Sequence, residues 1–155
     1  MGKGRQLGSA GPGVDSAAGD SMTLIEDRNK AFVLEAFDVL FNKHDYAAAA
    51  RYWSKEYIQH SAHIGPGRDG LFDLIQSLPE TLRYENQVIV ADGDHVMLYG
   101  RFTGTGIRVA MITADVLRLQ DGKLAEHWDV WEDEATRTDS LSELPMFGDQ
   151  FPAEP

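Results

Sequence analysis

The stretch Tyr84-Glu85-Asn86-Gln87-Val88-Ile89-Val90-Ala91-Asp92-Gly93-Asp94-His95-Val96-Met97-Leu98-Tyr99-Gly100-Arg101-Phe102-Thr103 decides the fold. Two runs rich in β-branched and aromatic residues, Tyr84–Val90 and His95–Thr103, flank the turn sequence Asp92-Gly93-Asp94. A connection that short makes the two strands antiparallel neighbours. The same logic continues toward the C-terminus. Gly104-Thr105-Gly106 turns into a third strand, Arg108–Leu119, and Asp121-Gly122 into a fourth, Lys123–Trp131. The result is an antiparallel meander.

Upstream of Pro79 the period is helical. Within residues 24–42, Val33, Phe37, Leu40 and Phe41 recur at i, i+4, i+7 and i+8, one face of a helix. Asn42-Lys43-His44 breaks the pattern, and Asp45 is an N-cap for a short second helix, Tyr46 to Trp53. Tyr57–His60 reads as a short extended segment. Gly65-Pro66-Gly67 is a turn, and Asp69 caps a third helix with a buried stripe of Leu71, Leu74, Ile75 and Leu78. Pro79 ends it. Helices in one block and strands in another mean α+β, not a doubly wound parallel sheet. Helices laid across a long curved sheet enclose a cone, and a cone is a small-molecule pocket.

Composition narrows the function. The chain has 155 residues, 25 acidic against 14 basic, for a net charge of −11. Nucleic acids and anionic membranes need a basic face, so neither is expected as a partner. No run of about 18 apolar residues is present to span a bilayer. Without cysteine there are no disulfides, thiol nucleophiles or thiolate metal sites, which fits a cytoplasmic protein. Residues 1–21, rich in Gly, Ser and Ala, read as a flexible tail, with Met22 a second candidate start. Residues 22–155 read as one domain.

The chemistry concentrates in Glu126-His127-Trp128-Asp129-Val130-Trp131. On a strand, Ala125, His127, Asp129 and Trp131 share one face, with His127 and Asp129 roughly 6–7 Å apart. Two readings are open. Either Asp129 orients His127 or is itself a base, or the pair faces solvent. The other face, with Leu124, Glu126, Trp128 and Val130, is also mostly apolar, so the pattern does not say which face is inside. Asp115 stands among Val109, Ala110, Met111, Ile112, Ala114, Val116 and Leu117. A carboxylate there needs a partner or a proton, and Arg101, His127 and His60 are the candidates. Parity groups Met111, Thr113, Asp115 and Leu117 away from Arg118, toward a cavity. A structural salt bridge of Asp115 with Arg101 is the equal alternative.

His60 and His63 are spaced for a shared metal, but the segment is irregular and no Cys or Glu supports it, so no metal site is expected. His60 reads as a pocket residue following Tyr57, and His63 as loop surface. Gly65 to Gly70 opens a helix without the lysine of a phosphate loop. No serine-hydrolase or dinucleotide fingerprint is present.

Several motifs travel together: Phe37-Asp38 with Phe41-Asn42-Lys43-His44-Asp45, Tyr57-Ile58-Gln59-His60, Gly65-Pro66-Gly67-Arg68-Asp69-Gly70, Gly100-Arg101-Phe102, Ala114-Asp115-Val116, Glu126-His127-Trp128-Asp129-Val130 and Pro145-Met146-Phe147-Gly148. Over about residues 24 to 151 this set resembles the SnoaL-like polyketide cyclases of the NTF2-like superfamily, in particular their aldol-condensation-catalysing subgroup. The resemblance implies a cone of three N-terminal helices on a curved antiparallel sheet. It implies acid/base chemistry without a cofactor on a carbonyl-bearing apolar small molecule: aldol condensation or cyclisation, or related isomerase or dehydratase chemistry. An acid removes a proton beside a carbonyl and a polar neighbour stabilises the enolate. Asp129 and Asp115 are rivals for the base, with His127 and His60 assisting. Tyr57, Arg101, Trp131, Tyr99 and Phe147 are the expected substrate contacts. A homodimer with two curved sheets packed together is implied. Residues 135–151 are expected to wrap back, with Met146 and Phe147 closing the cone or the dimer seam. The superfamily also holds non-catalytic binders and dimerisation modules, which are the two alternatives.

Overall fold

A computed structural model describes residues 15–106 and 110–153. Helix α1 (Asp15–Phe37) runs into a π-helical turn, Asp38–Asn42. Helix α2 (Tyr46–Ala49), strand β1 (Trp53–Gln59) and helix α3 (Gly67–Ser77) follow. Four further strands complete the chain: β2 (Arg83–Asp92), β3 (His95–Thr103), β4 (Ala110–Gln120) and β5 (Lys123–Asp133). Residues 15–21 of the expected tail belong to α1, and residues 1–14 lie outside the described residues. Residues 107–109, at the expected start of the third strand, lie outside them too. No described helix is long and apolar enough to cross a membrane.

The meander forms as its turn chemistry dictates, with β2–β3, β3–β4 and β4–β5 all antiparallel. The sheet nevertheless has five strands, in the order β1-β5-β4-β3-β2. The expected extended segment at Tyr57–His60 is part of β1, which pairs parallel with β5 and makes the sheet mixed. The second helix is correspondingly shorter than expected. It stops at Ala49 so that Trp53 can enter the sheet. Asp45 does cap it, accepting the Ala48 N–H at 2.9 Å. Asp69 does not cap α3: Pro66 occupies the N-cap and Asp69 lies in the first turn.

The helical stripe is buried as its spacing requires. Val33, Phe37, Leu40 and Phe41 all sit in the core, on the same side as Tyr84, Leu98, Phe102 and Leu117 of the sheet. Phe37, Phe41, Tyr84 and Phe102 form an aromatic cluster. Phe41 meets Phe102 edge-on at 5.0 Å and Phe37 meets Tyr84 at 4.9 Å. Burying each such ring stabilises by about 1.5–3 kcal/mol, and each edge-on pair adds about 0.5–1.5 kcal/mol. Two backbone features make room for this cluster. Gly100 has no Cβ where one would meet the Tyr84 hydroxyl at 2.3 Å. The Asn42 amide bridges the Tyr84 backbone, accepting its N–H at 2.8 Å and donating to its carbonyl at 3.2 Å. The end of the first helix is thereby clamped to edge strand β2.

Strand β5 carries a bulge. Arg118 pairs with Glu126 but Leu119 pairs with Leu124, leaving Ala125 as the extra residue. The strand's parity therefore changes there. The shared face expected for Ala125, His127, Asp129 and Trp131 holds from His127 onward, while Leu124 and Ala125 are both buried.

Candidate active site

Helices and sheet enclose a cavity of about 320 Å³. Its walls are apolar, with Phe37, Trp53, Leu71, Ile75, Phe102 and Met111 among them. Its polar lining comes chiefly from adjacent strands: Thr113 and Asp115 of β4, and His127 and Asp129 of β5. The register explains the convergence. Thr113 faces Trp131, Asp115 faces Asp129 and Leu117 faces His127 across the pairing. Residues at alternate positions on both strands thus point into one cone. The face question left open by the alternation is settled: His127, Asp129 and Trp131 are inside.

His127 is 5% exposed and Asp115 4% exposed. The His127 Nε2 atom lies 2.9 Å from Asp115 Oδ1, and its Nδ1 lies 2.9 Å from Gln59 Oε1. Both ring nitrogens are taken, so the carboxylate that bonds His127 is Asp115 and not Asp129. The contact is diagonal across the β4–β5 pairing: the register partner of Asp115 is Asp129, two residues on from His127, and diagonal neighbours on one face lie within reach of long side chains. Asp115 accordingly does not pair with Arg101 or His60. Asp129 is half-buried, and donor atoms of Asp115, His127 and Asp129 all lie within 4.8 Å of one another. Two carboxylates and an imidazole are donors a divalent ion accepts. An ion here would have to break the Asp115–His127 bond to reach Nε2.

Several buried polar atoms have no hydrogen-bond partner: Asp115 Oδ2, Thr113 Oγ1, Trp53 Nε1 and Gln59 Nε2. Three of these four residues, Asp115, Thr113 and Trp53, line the cavity. Native interiors rarely leave such groups unpaired. Tyr57 also lines the cavity. Burial above all pushes its hydroxyl pKa far up, and the charges of Asp115 and Asp129 act the same way. Trp53 and Gln59 oppose this more weakly than burial raises it. Tyr57 is therefore a neutral phenol. Burial, then the Asp115 charge, keeps Tyr84 neutral as well.

Of the expected site residues, Asp115, His127, Asp129, Tyr57 and Trp131 line the cavity. His60, Tyr99, Arg101 and Phe147 do not. His60 bonds Glu126 at 2.8 Å and stacks flat on Trp128 at 4.9 Å, on the outward side of β5. Tyr99 and Arg101 alternate with Leu98, Gly100 and Phe102, and since those face the cone, these face away. Arg101 pairs with Glu85 at 2.7 Å and lies over the Phe147 ring at 4.4 Å. The Tyr99 hydroxyl donates to the Met146 carbonyl at 2.7 Å, and Gly148 N–H donates to Gln87 Oε1 at 2.9 Å. The C-terminal segment does wrap back, but onto the outer face of the sheet. It does not close the cone. His63, expected as loop surface, is exposed and also lines the cavity, edge-on to Trp131 at 4.9 Å. Gln59, quoted within the Tyr57–His60 segment, was not among the expected site residues; its alternation with Tyr57 along one extended segment is the signal that points to it.

An α+β cone with a curved sheet, helices across one face and an enclosed apolar pocket is the NTF2-like fold. The SnoaL-like domain family matches residues 33–127, more than half of the chain, and the protein belongs to it. No curated protein matches the sequence. Among solved structures, a ketosteroid isomerase candidate from Kribbella flavida DSM 17836 is similar. It has 19% identity and a TM-score of 0.64, with 81% of this chain and 96% of that one covered. A hydroxylase candidate, AclR of Streptomyces galilaeus, has 26% identity and a TM-score of 0.58, covering 69% of this chain and 90% of that one. A SnoaL-like polyketide cyclase candidate from Jannaschia sp. CCS1 has 20% identity and a TM-score of 0.57, covering 70% and 88%.

Proposed function

We propose that the protein is a cofactor-independent acid/base enzyme that enolises a carbonyl-bearing, apolar small molecule. The chemistry is that of SnoaL-like aldol condensation and cyclisation, or of the related isomerases and dehydratases. The observation that carries this reading is the Asp115–His127–Asp129 cluster, buried at Asp115 and His127 and half-buried at Asp129, in a largely apolar cavity. An apolar wall selects an apolar skeleton, and the carboxylates disfavour an anionic one.

In this reading Asp129 takes the proton alpha to the carbonyl, because Asp115 is already bonded to His127. Thr113, Tyr57 and Trp53 supply neutral O–H and N–H donors to the cavity. Donors fixed in a dry, low-dielectric site stabilise a developing enolate far better than water does. A positioned base contributes roughly 10²–10⁴ in rate. Homodimerisation and a cytoplasmic location belong to the same proposal. Sedimentation as a monomer at high concentration would remove the first, and fractionation with another compartment the second.

The test needs no knowledge of the natural substrate. An apolar ketone probe such as 2-tetralone is incubated in deuterated buffer, and exchange at its alpha carbon is followed by NMR. Saturable, protein-dependent exchange that falls about 10²-fold or more in Asp129→Asn supports the proposal. Saturable binding of a panel of such ketones with no exchange above buffer overturns it in favour of a non-catalytic binding protein.

A further inference from the structure

The hydrogen-bond chain behind His127 determines which groups can give and take a proton. Gln59 Oε1 lies 2.9 Å from His127 Nδ1 and also accepts the backbone N–H of Ser61 at 2.9 Å. A backbone N–H can only donate. The atom facing Ser61 must therefore be the amide oxygen, because a flipped amide would set two donors against each other. Ser61 is buried, so water does not relieve such a clash. An amide oxygen only accepts, so the atom it faces, His127 Nδ1, carries a hydrogen.

The other end of the ring follows. His127 Nε2 faces Asp115 Oδ1 at 2.9 Å, and both residues are buried. A bare ring nitrogen opposite a bare carboxylate oxygen would be two acceptors in repulsion. One proton therefore lies on this line, on either Nε2 or Oδ1. In both cases each ring nitrogen is saturated.

We propose that Gln59 is a positioning residue that locks His127 with its Nδ1 protonated, so that both ring nitrogens are held in hydrogen bonds within the protein and neither can accept a proton from a ligand. The proton-accepting role then falls to Asp129, or to the unpartnered Oδ2 of Asp115. The parallel pairing of β1 with β5 builds the device. Gln59 is the register partner of His127, and the His60 N–H donates to the His127 carbonyl at 2.9 Å just beyond it. The catalytic meaning of the lock rests on the enolisation reading, but the lock itself does not.

The experiment is a long-range ¹H–¹⁵N correlation of the histidine rings in ¹⁵N-labelled full-length protein near neutral pH, with His127 assigned by its loss in His127→Gln. The expected wild-type spectrum has Nδ1 of His127 in the protonated range. Gln59→Leu removes the acceptor, and the ring is expected to switch to the neutral form with hydrogen on Nε2, donating to Asp115. Gln59→Glu keeps an acceptor and is expected to restore Nδ1–H. An unprotonated Nδ1 in the wild type overturns the proposal whether or not any variant folds, and so does an unchanged ring in folded Gln59→Leu. In the ketone exchange assay, Gln59→Leu is expected to lower the rate about tenfold or more at saturating probe with KM little changed, and Gln59→Glu to recover part of it. If wild type shows no exchange but the spectra behave as expected, the enolisation reading fails and the lock stands.

Discussion

Asp115 and Asp129 are register partners across the β4–β5 pairing, two carboxylates facing each other in one cavity. Like charges in that relationship destabilise a sheet by a few tenths to about 1 kcal/mol. Asp129→Asn is therefore expected to raise stability by about 0.2–1 kcal/mol in chemical denaturation while reducing ketone exchange by about 10²–10⁴. Gain of stability with loss of activity is the mark of a functional charge. A less stable Asp129→Asn protein would place its carboxylate in a structural role instead.

Asp115→Asn is expected to behave differently. It replaces the hydrogen-bonding carboxyl of a buried imidazole held at 2.9 Å. A loss of about 1–3 kcal/mol is expected, read from the denaturation midpoint at neutral pH. Opposite signs for the two substitutions would separate the roles of the two acids.

Gly100 tests the packing under the cone. A Cβ there would meet three atoms of the Tyr84 ring and hydroxyl at 2.3–2.5 Å. Gly100→Ala is expected to cost about 1–3 kcal/mol by overpacking. Tyr84→Phe leaves two of those atoms in place and is not expected to relieve the strain. Tyr84→Leu in the same chain is expected to recover part of the loss. Equal stabilities of Gly100→Ala and the wild type would mean the ring has room to move.

Glu134 gives a pH dependence. Its side chain is fully buried, and burial raises its pKa above the ordinary 4.5, against the pull of Arg101. The Arg101 guanidinium lies 3.6 Å away, too long for a hydrogen bond. A raised folded pKa favours the protonated folded state. That contribution is full below 4.5 and is lost as pH rises through the folded pKa. Glu134→Gln is therefore expected to be more stable than wild type at pH 7, with the difference shrinking as the pH falls through the raised folded pKa toward 4.5 and levelling off below it. Thermal melts across that range check it. A difference that grows toward acid would reverse the sign.

The C-terminal segment straps the outer face of the sheet. Ile112, the register partner of Arg101 on that face, is buried. Truncation after residue 138 removes Met146 and Phe147, with the Tyr99 hydrogen bond and the stacking on Arg101. A loss of about 1–3 kcal/mol is expected, with ketone affinity unchanged because neither residue lines the cavity. Weakened affinity at unchanged stability would restore the lid reading.

Local chemistry carried much of this in the sequence. The change from helical to strand period at Pro79 and the turn residues between the C-terminal strands set the order of elements and the antiparallel hairpins. Short turns act over a few residues, so they are legible without the fold. Parity grouped Thr113 with Asp115, and His127 with Asp129 and Trp131, and all five line the cavity. What lay beyond local reach came from the tertiary structure. The parallel pairing of β1 with β5 joins Gln59 to His127 across 68 positions, and no turn announces it. Which face of β5 lies inside depends on where the helices settle, and both faces are apolar enough for either. Arg101 and Tyr99 are polar residues suited to a pocket, yet alternation on a strand whose opposite face is buried turns them outward, and His60, just past the end of β1, bonds Glu126 on the outward side of β5. Residue types and spacing determined which side chains share a face. Only packing decided which face encloses the cavity and which acid touches His127.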